Sequence, residues 1–267
     1  MDGRFLVEPG QRARIARRDT RDGVDADGKE DGHRQLAEVQ AKLAGLHNRL
    51  WAEATRSALL ILQGLDASGK DGVIRSVFTG LNPQGVRVVS FKAPTSNERA
   101  HDYLWRVHKA LPVRGEIGIF NRSHYEDYVA VRMLGLAPKE VWGRRPGHFR
   151  EWERMLVDEG TAVVKVFLNV SKDEQRRRLQ ERVDDPAKRW KFRAEDLEVR
   201  KRFDDYLQAW DDVITETSTE WAPWHVVPAD RNWVKALAVA EILCEALERL
   251  DPRMPPPADG IEGLTIE

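Results

Sequence analysis

The sequence predicts a three-layer α/β/α protein in which helices cover both faces of a five-stranded parallel sheet. Apolar, β-branched segments alternate with amphipathic ones across residues 57–250, which is typical of parallel sheets with helical crossovers. The first apolar segment runs directly into a glycine turn and a lysine, "GLDASGK". The 267 residues, 41% of them hydrophobic and 33% charged, are enough for one large domain with a sizeable core.

The elements follow in chain order from changes in hydrophobic periodicity. An N-terminal arm, partly helical and partly extended, is expected over residues 1–34, the main domain over 35–250 and a mobile tail over 251–267. The predicted strands cover residues 57–63, 85–93, 115–120, 161–170 and 224–230. The predicted helices cover residues 34–54, 70–79, 97–111, 123–135, 147–160, 171–183, 195–217 and 232–250. A Ser-x-x-Glu capping box begins the helix at Ser171, and Gly160 ends the helix before it.

The charge balance and the apolar runs exclude several classes of partner. With 43 basic and 44 acidic residues, the chain has no net field that would draw it to nucleic acid or to a membrane surface. Its longest apolar runs are far too short to cross a bilayer. The first 32 residues mix arginines with aspartates and lack the apolar core of a signal peptide, so a cytoplasmic location is expected. A site for a polyanion must therefore come from local clustering of basic residues.

Residues 64–70 have the spacing of a phosphate-binding loop between a predicted strand and a predicted helix. In such a loop, successive backbone N–H groups form a cup of anion size, and the positive end of the following helix faces it. Lys70 adds a full positive charge. The alternative is a tight strand–helix turn with a surface lysine. The other residues expected to form the site are Gly64, Ala67, Ser68, Gly69, Asp71 and Gly72.

The residue after Lys70 is Asp71, where the usual motif has the Ser or Thr that ligates Mg²⁺. Carboxylates that face phosphate are tolerable only when a cation lies between them. Asp66, inside the loop, is therefore the expected Mg²⁺ ligand, with Mn²⁺ as the alternative ion. Asp71 is expected either to complement the helix dipole from the first turn or to support the metal ligands from behind.

Four longer motifs occur in a recognisable order: "LLILQGLDASGKDG", "NPQGVRVVSFKAPT", "LWRVHKALPVRGEIGIFNRSHYED" and "ERVDDPAKRWKF". Together they resemble the second polyphosphate kinase family, over about residues 35–250. The resemblance implies a P-loop kinase-like core with a helical lid, a basic channel for the polymer and dependence on Mg²⁺. It also implies transfer of phosphate between inorganic polyphosphate and nucleotides, and assembly into homodimers or homotetramers.

The third predicted strand leads into Phe-Asn-Arg-Ser at 120–123, and by resemblance this segment helps to hold metal. Asn121 stands where many members of the family have Asp. Metal binding is therefore expected to depend on Asp66, with Glu126 or Asp127 as a helper. The Asn form resembles the subgroup, often called class III, that accepts both nucleoside mono- and diphosphates. The alternative is that Asn121 only caps the helix that follows.

Several basic side chains are candidates for phosphate contacts. Arg122 could clamp a phosphate with its planar guanidinium, or form an ion pair with Glu126 one helical turn on. Lys92 lies at the end of the second predicted strand, where ligands of open α/β sheets bind, and is expected to contact the polymer. Arg75 and Arg132 lie on predicted helices. For each of these two, a place in the polymer channel and a plain surface position stay open.

The segment over residues 176–194 is the expected lid. Its basic residues are Arg176, Arg177, Arg178, Arg182, Lys188, Arg189, Lys191 and Arg193. An Asp-Pro pair at 185–186 breaks the helix and two aromatic residues supply anchors, so the segment could hinge and close. A solvated helix face is the alternative explanation of the charges. By resemblance, Arg182 is expected to reach the phosphates as an arginine finger, with Lys188 and Lys191 as further phosphate contacts.

The histidines, cysteine and tryptophans suggest no additional chemistry. The histidines lack metal-ligand spacing, so zinc is not expected. Cys244, the one cysteine of the chain, lies in the helical run "LAVAEILCEALERL" and is expected to be a buried structural thiol. The tryptophans of the amphipathic helices are expected to be core residues rather than stacking platforms for a base.

The residues and the resemblance together predict reversible, in-line transfer of phosphate from polyphosphate to AMP or ADP, with GMP and GDP as further acceptors. Lys70 and the loop are expected to hold the donor end, with Mg²⁺ at Asp66 between donor and acceptor. Arg122 and Arg182 are expected to neutralise charge on the equatorial oxygens. Two rivals stay open here: an ATP-dependent nucleotide kinase with the same core, and a non-catalytic P-loop protein that binds RNA or a partner.

Overall fold

The computed structural model describes residues 3–261 and residue 265, and one six-stranded sheet organises them. The strands are β1 (Leu6–Val7), β2 (Ser57–Gln63), β3 (Val86–Ser90), β4 (Ile117–Asn121), β5 (Thr161–Asn169) and β6 (Trp224–Pro228). Their order across the sheet is β1-β6-β5-β2-β4-β3. Strands β2 to β6 are parallel, which confirms the predicted α/β class. The predicted count of five is one short, because β1 from the arm pairs antiparallel with β6.

Eleven α-helices connect and cover these strands within the described residues. They are α1 (Lys29–Glu53), α2 (Lys70–Val77), α3 (Ser96–Arg99), α4 (Trp105–His108), α5 (Glu126–Met133), α6 (Lys139–Trp142), α7 (Arg145–Asp158), α8 (Lys172–Asp184), α9 (Glu195–Lys201), α10 (Phe203–Thr217) and α11 (Asn232–Leu250). The first helix begins five residues before its predicted start at Arg34, because Glu30 and Asp31 occupy its first turn and complement the helix dipole. Ser171 caps α8, since its side chain accepts a hydrogen bond from the Glu174 N–H, but the predicted capping box is incomplete because the Ser171 N–H donates to Asp230 rather than to Glu174.

Two segments predicted as continuous helices are each divided in the structure. Residues 97–111 form the two short helices α3 and α4, because the Asp102 carboxylate accepts from the N–H groups of Leu104 and Trp105 and starts a new turn. Residues 195–217 are divided at Arg202, which separates α9 from α10. The guanidinium of Arg202 donates to the Met133 carbonyl at 2.7 Å and so anchors this break to the end of α5.

Two layers of helices enclose the sheet. On one side α11 packs against α1, α2 and β5, and on the other side α10 packs against α5 and α7. Strand β2 is buried at all seven positions, as expected for a strand covered on both faces. The continuous apolar runs of the central strands therefore reflect burial between two helical layers rather than one solvated face.

The N-terminal arm packs against the edge of this sheet instead of extending into solvent. Ile15 is fully buried, and its backbone N–H donates to Asp211 on α10 at 2.6 Å. The side chain of Asn169, at the end of β5, donates to the Ile15 carbonyl at 3.2 Å. These contacts attach the arm both to the carboxyl end of the sheet and to a covering helix.

Cys244 is a free, buried thiol on α11, as predicted. Within residues 3–261, no helix is both long enough and apolar enough to span a bilayer.

The carboxyl ends of the parallel strands define the edge where a site can form. β2 lies between β4 and β5, and its last residues pair with Asn121 and Phe167. The glycine loop that follows β2 therefore stands at the middle of this edge, beside the segment that follows β4. Ligands of open α/β sheets bind in this position.

Candidate active site

The glycine loop (residues 64–70) joins β2 to α2, and two glycines permit its path. Gly64 has φ +150°, and a Cβ there would approach the Leu168 carbonyl oxygen to 2.9 Å. Gly69 has φ +100° and precedes Lys70, the first residue of α2. Ala67 also has a positive φ, +62°, which is uncommon for a residue with a Cβ. The loop therefore turns tightly in front of the positive end of α2, the geometry of an anion site.

Lys70 lies beneath this turn and is 8% exposed. Its ammonium donates to the carbonyls of Gly64, at 2.7 Å, and Leu65, at 3.3 Å. Burial, with the positive charge of Arg122 nearby, lowers the pKa of Lys70 to about 8. The group is therefore a desolvated cation that stays mostly protonated at neutral pH, so it would attract an anion more strongly than a solvated lysine.

Arg122 faces the loop from the end of β4. Its backbone N–H donates to the Leu62 carbonyl at 3.1 Å, and its φ of +64° turns the side chain across the cleft. The guanidinium pairs with Asp66, and one of its nitrogens lies 4.0 Å from a Glu126 oxygen. Ala67 and Arg122 thus both have left-handed backbones and lie on either side of one cleft. Backbone strain of this kind concentrates at functional sites.

Asn121 connects the end of β4 to the start of α2. Its amide donates to Asp71 at 2.7 Å, while α5 begins at Glu126 without a side-chain cap. The helix-capping alternative for Asn121 is therefore not what the structure has. Gln63 acts similarly at the end of β2: in the amide orientation that satisfies its neighbours, it donates to Glu126 at 3.0 Å and accepts from the Ser123 N–H at 2.9 Å.

The oxygen donors around the loop fit Mg²⁺. Mg²⁺ is held through one or two protein carboxylates together with substrate phosphates and waters, rather than by an all-protein cage. Asp66, Asp71 and Glu126 supply carboxylates beside the loop, and the cation partners of Asp66 and Glu126 are arginine nitrogens that a metal can replace. Among residues 3–261 and 265, no cluster of three acidic, histidine or cysteine side chains forms a self-sufficient metal site.

Arg182 approaches the same cleft from the last turn of α8. Its guanidinium donates to Asp196 at 3.2 Å, and Asp196 is buried near the start of α9. Burial, together with the nearby charge of Asp66, raises the pKa of Asp196 against the opposing effect of Arg182 and Arg122. Asp196 was not among the predicted site residues, because in the sequence it is one of several acids in an ordinary charged helix.

The remaining predicted basic residues have different surroundings. Arg75 and Lys92 are exposed. Arg132 is half-buried, pairs with Asp212 at 2.7 Å and stacks on Trp142, so it links α5 to α10 and is not the plain surface residue of the stated alternative. Lys188 pairs with Glu181 and Asp185 near the end of α8, and Lys191 stacks on the exposed Trp190.

Three residues outside the predicted site support the loop from behind. Gln175 donates to the Asp66 carbonyl at 3.2 Å. Arg178 donates to the carbonyls of Ala67 and Ser68 at 3.0 and 2.9 Å, so it lies under the loop rather than on the lid surface. Lys235 on α11 donates to the Ser68 carbonyl at 2.9 Å. The one available signal for Lys235 is a single lysine in an otherwise apolar stretch of helix.

Comparisons with known proteins agree with this geometry. A family model described as Polyphosphate kinase 2 (PPK2) matches residues 26–255. A curated relative from Meiothermus ruber, named AMP/ADP-polyphosphate phosphotransferase, is 50% identical across 99% of this chain and 99% of its own length. Another from Rhodopseudomonas palustris, named ADP-polyphosphate phosphotransferase, is 41% identical across 94% of this chain and 91% of its own length.

A solved structure has the same architecture. The crystal structure of polyphosphate kinase 2 from Arthrobacter aurescens TC1 superposes with a TM-score of 0.92 at 41% sequence identity. The superposition covers 97% of this chain and 92% of that one, so the likeness extends over nearly the whole chain.

Proposed function

The chain belongs to the polyphosphate kinase 2 family, and we propose that it transfers phosphate reversibly from inorganic polyphosphate to nucleoside mono- and diphosphates. AMP and ADP are the proposed acceptors, because the relative with 50% identity carries both in its name; GMP and GDP are the further candidates. The observation that carries the proposal is the cleft between the glycine loop and Arg122. There, Lys70 at the start of α2 and Arg122 after β4 lie close enough for their charges to interact.

Catalysis in this proposal consists of positioning and electrostatic stabilisation, since phosphoryl transfer needs no protein nucleophile. The loop N–H groups and Lys70 bind the terminal phosphates of the donor chain. Arg122 lies across the cleft and offers a planar, bidentate donor for the transferring group. Arg182 contributes from α8 once it leaves Asp196, which places a third positive charge at the same group.

We also propose metal dependence, with Mg²⁺ or Mn²⁺ held by Asp66 and assisted by Asp71 or Glu126. The ion would supply charge neutralisation between donor and acceptor oxygens. In this arrangement Arg122 exchanges its carboxylate partner for phosphate oxygens, which an arginine fork binds equally well.

Asn121 is proposed to influence the choice of acceptor. A neutral amide at the end of β4 repels the acceptor phosphate less than a carboxylate would, and its bond to Asp71 holds that α2 carboxylate at the end of β4. Arg75, Lys92, Lys188 and Lys191 are proposed contacts for the polymer. A cytoplasmic location and assembly into dimers or tetramers stay predictions.

The test is a transfer assay with purified protein, polyphosphate, Mg²⁺ and each of AMP, ADP, GMP and GDP, followed by separation of the nucleotide products. The proposal expects phosphorylated AMP and ADP without added ATP, and no product from the Lys70→Met variant. A parallel reaction with ATP as donor tests the kinase rival. Transfer from ATP alone, with none from polyphosphate, would contradict the proposed donor.

A further inference from the structure

We propose that Lys235 is a positioning residue for the phosphate site: with Arg178, it fixes the Ser68–Gly69 peptide so that the Gly69 N–H faces the bound phosphate, and its buried charge strengthens phosphate binding. This inference rests on the proposed function, because it assigns a role at the same anion site. It extends that site to the far side of the loop.

Lys235 is placed against the loop with little freedom. The side chain is 2% exposed, and its ammonium donates to the carbonyls of Ser68, at 2.9 Å, and Ala229, at 3.4 Å. A Cβ on Gly69 would collide with this ammonium. A side chain at position 69 would therefore displace the Lys235 ammonium in addition to straining the positive φ.

Arg178 completes the support behind the loop. One terminal nitrogen donates to the carbonyls of Ala67 and Ser68, and the other donates to those of Ala229 and Asp230, at 2.7 and 2.9 Å. Its Nε donates to Glu174 at 2.7 Å, which fixes the guanidinium plane. Arg178 therefore joins the loop to the turn between β6 and α11 through four carbonyl groups.

That turn is itself fixed. The Asp230 carboxylate accepts from the Thr20 hydroxyl at 3.0 Å and from the Ser171 N–H at 2.8 Å, and the Asp230 N–H donates to the Thr20 carbonyl at 3.1 Å. The arm, the start of α8 and the turn thus form one base. Arg178 and Lys235 bond both to this base and to the loop, so they set the position of the loop carbonyls.

The orientation of the Gly69 N–H follows from peptide geometry. In a trans peptide the C=O and the N–H point in opposite directions. The Ser68 carbonyl accepts from both Arg178 and Lys235 on the inner side of the loop, so the Gly69 N–H points to the outer side, towards the phosphate. Cations bound to the carbonyl also polarise the amide and make its N–H a stronger donor.

The charge of Lys235 has no hydrogen-bonded carboxylate partner among the described residues. The charged groups that face it are Arg178 and Glu174 from α8, Asp230 from the turn and Lys70 from α2. Burial, followed by the repulsion of Arg178, lowers the pKa of Lys235 to about 7. A phosphate in the loop favours the charged form, so binding above pH 7 takes up a proton and affinity falls as pH rises.

The test is isothermal titration of tripolyphosphate, and separately of ATP, into the wild type and the Lys235→Met variant. We expect the variant to bind about tenfold more weakly at pH 6.5, with the difference shrinking at pH 8.5. Titrations in buffers of different ionisation enthalpy should also show less proton uptake by the variant near pH 7.5. A purely structural role would leave proton uptake unchanged.

Two further variants separate charge from structure. Lys235→Gln keeps a donor for the Ser68 carbonyl but removes the charge, so it should reduce the proton uptake as much as Lys235→Met does while retaining more affinity. Leu243→Ala, at a fully buried position two turns along α11, destabilises the fold and should leave binding unchanged.

Equal affinity and equal proton uptake in Lys235→Met and wild type would overturn the proposal. If wild type bound ATP but not tripolyphosphate, the proposed donor would be wrong, and the role of Lys235 would be decided by the ATP titrations.

Discussion

Two regions of this protein bury lysine, and they satisfy it in different ways. In the core, Lys165 on β5 bonds to the Glu153 carboxylate at 2.6 Å, to the Tyr125 hydroxyl at 3.1 Å and to the Thr217 carbonyl at 2.7 Å. At the loop, among the residues described, Lys70 and Lys235 hydrogen-bond to carbonyl oxygens alone.

The two regions differ in the source of the negative charge that balances the buried lysine. A buried cation is costly unless it is paired, and Lys165 is paired with the Glu153 carboxylate inside the core. This pair is part of the fold and needs no ligand. Burial lowers the pKa of all three lysines, to about 8 for Lys70 and about 7 for Lys235, but the loop lysines have only carbonyl dipoles for partners. Their countercharge is proposed to arrive with the phosphate. Desolvated cations of this kind mark functional sites.

The largest effect is expected from Lys70→Met. Turnover should fall on the order of 10³-fold, because a desolvated charge at the transferring phosphates is lost, while the free energy of unfolding stays close to that of wild type. Steady-state transfer kinetics and urea unfolding measure the two quantities. Lys139→Met, at an exposed lysine on α6, is the control and should change neither. If Lys70→Met lowered the free energy of unfolding and left turnover unchanged, Lys70 would be a structural lysine like Lys165, and the contrast between the two regions would be wrong.

The reverse pattern is expected from Lys165→Met. Removing the ammonium leaves Glu153 as an uncompensated buried charge, so the free energy of unfolding should fall by roughly 4 kcal/mol. Turnover per folded molecule should be unchanged. The double variant Lys165→Met/Glu153→Leu removes both charges and should recover much of the lost stability. A double variant no more stable than the single one would argue against the ion pair as the cause.

The next largest effect is expected at Arg182, which is proposed to leave Asp196 and bind the transferring phosphate. Arg182→Ala should lower kcat roughly 100-fold and leave the KM for nucleotide nearly unchanged, because the proposed contact forms mainly in the transition state. Arg176→Ala, at an exposed position on the same helix, is the matched control. A raised KM with an unchanged kcat would mean that Arg182 binds substrate without contributing to the chemical step.

The smallest effect is expected at the end of β4. Asn121→Asp places a carboxylate 2.7 Å from Asp71 and beside the proposed acceptor, so the ratio of kcat/KM for AMP and ADP should change by about fivefold, or roughly 1 kcal/mol. Asn121→Ala separates loss of the amide from gain of charge. The ratio is measured with both acceptors at one Mg²⁺ concentration, and an unchanged ratio in Asn121→Asp would remove acceptor choice from the functions of this residue.

The sequence predicted the parts of the site that adjoin strands. Apolar runs locate β2 and β4, glycine spacing locates the loop, and Arg122 follows because it is the next residue after a strand end. These features are local, so a window of about fifteen residues contains the physical signal. The same holds for the N-terminal cap of α8 at Ser171.

The missed features depend on contacts between distant segments. Arg178 is indistinguishable in the sequence from its exposed neighbours on α8, and it lies under the loop because that face of α8 packs there. Lys235 meets Ser68 from 167 residues away. The division of residues 195–217 likewise depends on Arg202 reaching the Met133 carbonyl. No local pattern encodes such pairings.

The most direct test of the central claim is a crystal structure with tripolyphosphate, AMP and Mn²⁺, in which anomalous scattering locates the ion. The account predicts terminal phosphates against the N–H groups of residues 64–70 and Lys70, with Mn²⁺ coordinated by the Asp66 carboxylate. Phosphate bound away from the loop, or an ion bound elsewhere while Asp66 still pairs with Arg122, would contradict it.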